Sequence, residues 1–197
     1  MMFPISLQGA YNMKLFFLLM MLSASAWSAE PASGNQISEI EGVYKHHFMN
    51  GTITPGKAPG EADQPYESED IVEIVRYDQT HIYFRAELQF YNGHTCGIYG
   101  IAGEENGEFV YHDSTMPLAG EPACSLRIST TIDKLRITDR DTPQGASTCR
   151  NYCGVRGSLS DYLISKSSKR KIRYLDRLKA SREYSEAVTA FKASGKK

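Results

Sequence analysis

Four cysteines and five histidines are the residues of this 197-residue chain best suited to metal or redox chemistry. Cys149 and Cys153 are spaced C-x-x-x-C, one residue longer than the C-x-x-C of redox-active pairs. No His or acidic residue interleaves with the cysteines at metal-ligand spacing, so neither a metal site nor a cofactor is expected. His46 and His47 are neighbours on a predicted strand and point to opposite faces, so they cannot chelate one ion together. Convergence of His46 with His112 would need the tertiary fold to supply it. His94 sits beside the Asn92-Gly93 turn and His81 opens a predicted strand, where neither needs a chemical role. The chain has no G-x-S-x-G, no H-E-x-x-H and no glycine-rich phosphate loop. Acids are abundant, so a carboxylate pair of the kind glycosidases use is the one catalytic option the composition leaves open. Glu87 lies on the polar face of a strand. Glu73 lies between apolar neighbours and is the acid whose burial would matter.

The cysteines read best as structural. Residues 13–29 (MKLFFLLMMLSASAWSA) place Lys14 before eight unbroken apolar residues and a small-residue stretch, the pattern of a secretory signal peptide. Cleavage is expected near residues 26–29, and Met13 is a natural initiator. The apolar run is half the length of a membrane span, so no stable membrane insertion is expected. Export to the periplasm or beyond makes an even cysteine set meaningful. Cys96, Cys124, Cys149 and Cys153 should form two disulfides, with three pairings open. Cys96 and Cys124 fall on predicted strands, in phase with apolar residues. Cys149 and Cys153 follow the last of these strands, which favours bridges from that segment to the sheet.

The elements that must position these residues are mostly strands. Mean hydropathy of −0.39 and one long apolar run exclude a multi-span membrane protein. Twelve Tyr and eight Phe exclude a wholly disordered chain. From 38 to 139 the pattern alternates with period two, most clearly in 81–90, where Ile82, Phe84, Ala86, Leu88 and Phe90 share one face. Strands are predicted around 43–49, 71–77, 81–90, 95–102, 109–111, 124–129 and 135–137. An eighth is expected at 147–152. Close-range turns, with Asn92-Gly93 the strongest, favour a small antiparallel up-and-down barrel or curled sheet of seven to eight strands. Residues 30–37 read as a loose segment and 50–70 as a long loop rich in Pro and Gly. The loop over 113–122 is a second exposed candidate surface.

The tail changes period. Ser160-Asp161 offers an N-cap; Ile172, Leu175 and Leu178, then Tyr184, Val188 and Phe191, form stripes for two short helices, the second capped by Ser181. The expected division is a barrel over 38–160 and a helical tail over 161–197 packed on it. Residues 30–160 carry 19 acidic and 10 basic residues; 161–197 carry 4 and 11. The near-neutral chain is thus bipolar, net −9 against +7, with Lys169, Arg170, Lys171, Arg173 and Arg177 expected on the outer face of a helix. That face fits an acidic neighbour or an anionic ligand. Nothing in the charge pattern suggests nucleic acid.

The most distinctive string is Cys149–Leu159, CRNYCGVRGSL. Gly154 and Gly157 allow a tight path, and Arg156 between them is read first as a structural residue pinning the segment and second as an anion binder. With Gly42-Val43-Tyr44, Asn92–Cys96 and Cys124-Ser125-Leu126, the string resembles uncharacterised secreted proteobacterial small β-barrel proteins ending C-x-x-x-C-G-x-R-[GA]-[ST]-[LF]. These lie in the neighbourhood of envelope barrels that include lysozyme inhibitors. The resemblance spans about 40–160 and implies a binding module without catalysis. Periplasmic and membrane-bound c-type lysozyme inhibitors carry an S-G-x-x-Y loop. Here Gly157-Ser158-Leu159-Ser160-Asp161-Tyr162 has another order, so no inhibitory residues carry over. The expected function is non-catalytic binding of another envelope protein or an anionic ligand, as an inhibitor, immunity protein or carrier. The alternatives are a hydrolase with acids at the barrel mouth and a structural part of an envelope assembly.

Overall fold

A computed structural model of the chain describes residues 33–56, 58, 64–115, 122–140 and 145–195. The leader, its cleavage positions and Met13 lie outside the described residues, as do parts of the 50–70 and 113–122 loops. Eight antiparallel strands form one sheet in sequence order: β1 Gly42–Thr52, β2 Gln64–Arg76, β3 His81–Phe90, β4 His94–Glu105, β5 Glu108–His112, β6 Ser125–Thr130, β7 Lys134–Thr138 and β8 Tyr162–Ser165. Helices α1 (Ser33–Ile40), α2 (Leu175–Lys179) and α3 (Arg182–Ala193) complete the fold. The protein is mainly β, a nearly closed meander.

Alternation drives the sheet. Ile82, Phe84, Ala86 and Leu88 of β3 are buried and meet Ile74, Ala102, Ile98 and Cys96 across the neighbouring strands. Phe109, Leu126, Ile128, Leu135, Ile137 and Ile164 extend this interior core. The last gap is closed by chain beyond β8. Val43 and Arg170 exchange backbone hydrogen bonds of 2.9 and 2.8 Å, which satisfies groups an open edge would leave bare.

Several expectations change. Residues 33–40 are helical, not loose. Ile37 and Ile40 enter the interior core, and the Tyr44 hydroxyl donates to the Ile40 carbonyl at 2.8 Å. The 50–70 loop is shorter than its composition suggests, because β1 and β2 pair through Thr52↔Gln64. The eighth strand is 162–165, whereas 150–152 is a single 3-10 turn between cysteines. Asp161 has φ of 57° at the turn into β8, so Ser160-Asp161 caps no helix. A boundary at 160 would therefore cut the sheet.

A second core lies outside the barrel. Val43, Val75, Tyr83 and Ile101 project outward and are covered by Ile172, Leu178 and Ala187, with Tyr184, Val188 and Phe191 around them. The tail thus packs on the sheet through the residues its stripes indicated, and Tyr83, which period two puts on the same face as Glu87, is fully buried. Ser181 caps α3, its side chain accepting from the Tyr184 N–H at 3.2 Å. Glu73 fastens this layer. It is 1% exposed, accepts from Arg85 Nε at 2.6 Å and from the Tyr174 hydroxyl. Burial and the bond to Glu73 push the Tyr174 phenol up to about 12.

Candidate functional site

β4 and β5 part company soon after their turn. Only Gly103↔Val110, Glu104↔Phe109 and Glu105↔Glu108 pair. The Cys149–Gly157 segment occupies the opening instead. Cys96 is bonded to Cys153 and Cys124 to Cys149. The Gly154 N–H donates to the Thr95 carbonyl at 2.8 Å, continuing the edge of β4. A side chain at Gly157 would put its Cβ 2.7 Å from Cys96 Sγ, so the close pass beside the bridge requires glycine there. Both disulfides therefore tie the segment to the sheet.

This arrangement places Tyr152 at the rim of a cleft of about 510 Å³. The floor is Ile101, Gly103 and Val110 of β4 and β5. One wall is α3, through Glu186, Ala187, Ala190 and Phe191. The other is Tyr111 with the chain just past β5, Asp113 to Thr115, and Tyr152. Ala187 of α3 is buried against the strands, while Ala190 is exposed at the cleft. Tyr111 owes its place to Gly100, where a Cβ would lie 2.4 Å from the tyrosine ring. Its ring meets Phe84 edge-on at 5.3 Å.

The polar groups are tied together. Tyr152 donates to Asp113 at 2.5 Å, and the Thr115 N–H donates to the same carboxylate at 2.8 Å, joined by the Thr115 hydroxyl. Burial alone would raise the Asp113 carboxyl, but the bonds from Thr115, Tyr152 and Tyr111 outweigh it and hold it below the usual carboxylate range. Burial, reinforced by Asp113, pushes the Tyr152 phenol up, as burial with the negative charge nearby does for Tyr111. Across the cleft Tyr99 donates to Glu186 at 2.5 Å, and that bond, aided by burial, raises its phenol. His112 lies 3.2 Å from Glu105. The lowered Asp113 carboxyl stays charged and the raised phenols stay neutral near pH 7, which suits binding of positive charge.

The residues singled out from sequence are distributed differently. Arg156 is exposed and sits over the Tyr91 ring at 5.9 Å, a cation–π contact in place of the expected carboxylate or carbonyl anchor. The basic residues do not share a helix face. Lys169 to Arg173 precede α2 outside any helix, Arg173 in a turn, with Arg170 paired to β1 and Lys169 Nζ bonded to the Glu39 carbonyl at 2.5 Å. Lys171 and Arg173 are exposed, and Arg177, on α2, stacks over Tyr174 at 5.2 Å. His46 pairs with Asp70 at 3.5 Å and His47 with Glu69 at 2.8 Å, apart from His112. Glu87 is exposed, near Arg85 at 3.8 Å. Among the described residues no three His, Cys, Asp or Glu converge to hold a metal.

Sequence reading missed Tyr99, Tyr111, Asp113, Tyr152 and Glu186 as one site. The one local signal was the position of Tyr152 between Cys149 and Cys153. No family model matches the chain, and no curated protein or solved structure matches it either.

Proposed function

We propose that this chain is a non-catalytic binding protein of the bacterial envelope, exported through its N-terminal leader, and that it holds its partner in the cleft between β4–β5 and α3. The observation that carries this reading is a preformed recess with rigid walls outside a filled barrel. Recesses of a few hundred Å³ with a few fixed polar groups are the usual form of binding sites. Two disulfides are compatible with an extracytoplasmic location. No helix among the described residues is long and apolar enough to cross a membrane.

The hydrolase alternative needs acids free to act at the barrel mouth. The buried interior acids are engaged internally. Asp70 accepts from the Gln89 N–H at 2.7 Å and the Tyr162 hydroxyl at 2.7 Å. Asp139, fully buried, accepts from Ser147, from the Cys149 N–H at 3.1 Å and from Ser160 at 2.7 Å. These are the bonds of structural carboxylates, so the binding reading is preferred.

The test is to immobilise the full chain, expose it to envelope extract at low and high salt, and incubate it separately with cell-wall fragments. The reading expects a protein or small molecule retained by the wild type and lost from Ala190→Phe, which fills the recess from an exposed position. Turnover of any fragment, abolished by a single acid-to-amide substitution, would overturn it.

A further inference from the structure

We propose that the cleft takes an organic cation, a primary ammonium or guanidinium group, borne either on a side chain of a partner protein or on a small polyamine. The inference deepens the binding reading above and rests on it. Glu104, Glu105, Asp113 and Glu186 all reach the lining, and among the described residues no Lys or Arg does. His112 offsets Glu105 only when protonated, and Arg182, outside the lining, lies 3.7 Å from Glu186. The Glu104 backbone N–H is used by Thr80, while its carboxylate is in no ion pair among the described residues. Carboxylates on low-dielectric walls focus a negative potential into the recess.

The remaining surface selects the kind of cation. Tyr99, Tyr111, Tyr152 and Phe191 line the same space. Aromatic faces attract ammonium and guanidinium groups, more so once desolvated. Tyr99 spends its hydroxyl proton on Glu186, which leaves its oxygen as an acceptor for a multi-donor cation. A bare metal ion would want converging ligands at short range, and the described residues offer no such set. The cleft volume of about 510 Å³ admits a lysine or arginine side chain with room for its flanking backbone. Asp113 and Glu186 are held in place by the Tyr–Asp–Thr and Tyr–Glu bonds, so little ordering cost falls on these two acids on binding.

The test is an NMR titration of the full chain with a capped tri-lysine peptide, with spermidine and with a capped tri-glutamate peptide. The expected result is that the lysine peptide or spermidine shifts amide signals in 99–103, 110–115 and 186–194, and that the glutamate peptide does not. Glu104→Gln with Glu186→Gln should weaken cation binding about tenfold, and raised salt should weaken it further. Ala190→Phe should abolish it without loss of fold. A response to spermidine alone assigns the site to free polyamines; a response to the peptide assigns it to a partner's side chain. No shift in these segments with either cation, or an equal response to the glutamate peptide, overturns the proposal. Capture from extract that survives both the charge variant and Ala190→Phe leaves the binding reading standing and removes the cleft from it. Cation binding without any captured macromolecule does the reverse.

Discussion

Removing the Cys96–Cys153 bridge tests whether the disulfide segment is a structural wall of the cleft. The perturbation is Cys96→Ala with Cys153→Ala. The bridge closes a separation of 57 residues, and the Cys124–Cys149 bridge one of 25. Chain-entropy scaling assigns them about 4.2 and about 3.5 kcal/mol at 25 °C. The longer loop is therefore worth about 0.7 kcal/mol more. Both pairs are packed against the interior core, so their packing losses should be comparable. The assay is urea unfolding of the two double variants beside the wild type, read as stability at constant slope. Loss of the longer bridge should also weaken whatever the cleft binds, because Cys153 directly follows Tyr152, which holds Asp113. A stability loss under about 1 kcal/mol for the Cys96/Cys153 variant would refute the reasoning. Backbone bonds such as Gly154 to Thr95 would then be holding the segment unaided.

Three further outcomes follow from the same coordinates. Glu73→Gln should cost about 2 kcal/mol in urea unfolding, below the usual value for breaking a buried pair because Arg85 is 23% exposed; partner capture should be unchanged, since Glu73 is outside the cleft lining. Ser181→Ala should cost about 1 kcal/mol by removing the α3 cap, measured by thermal unfolding. The depressed Asp113 carboxyl means the unfolded chain binds that proton first. Its contribution is therefore complete above the unfolded value of about 3.9 and fades as pH falls through the lower folded value. Urea midpoints should drop with acid below about pH 4, and Asp113→Asn should flatten part of that slope.

The strands that face solvent on one side were legible because burial imposes period two on them, as in Ile82 to Leu88. Tyr83 on the same strand was misassigned because its cover, α3, lies a hundred residues away and leaves no local mark. β8 was invisible for a related reason. Tyr162 to Ser165 is four residues long, and pairing with β7 makes it a strand. Ile172 has helical spacing to Leu175, yet Lys169 to Ile172 stay outside α2 because β1 offers Val43 as an edge partner to Arg170. The second helical stripe, Tyr184, Val188 and Phe191 on α3, and the Ser181 cap were readable because they are local. The cleft was not. Its residues come from β4, β5, the chain after β5, the turn between cysteines and α3. Separated acids and tyrosines become a site only through the disulfide pairing, which sequence left open.

The most direct measurement of the central claim is capture by the immobilised full chain compared across wild type, Ala190→Phe and Lys171→Glu with Arg173→Glu. Binding in the acidic cleft predicts loss of the captured species from Ala190→Phe, retention by the Lys171/Arg173 variant, and release from the wild type by salt. Retention by Ala190→Phe with loss from the Lys171/Arg173 variant would contradict it and move the site to the exposed basic segment.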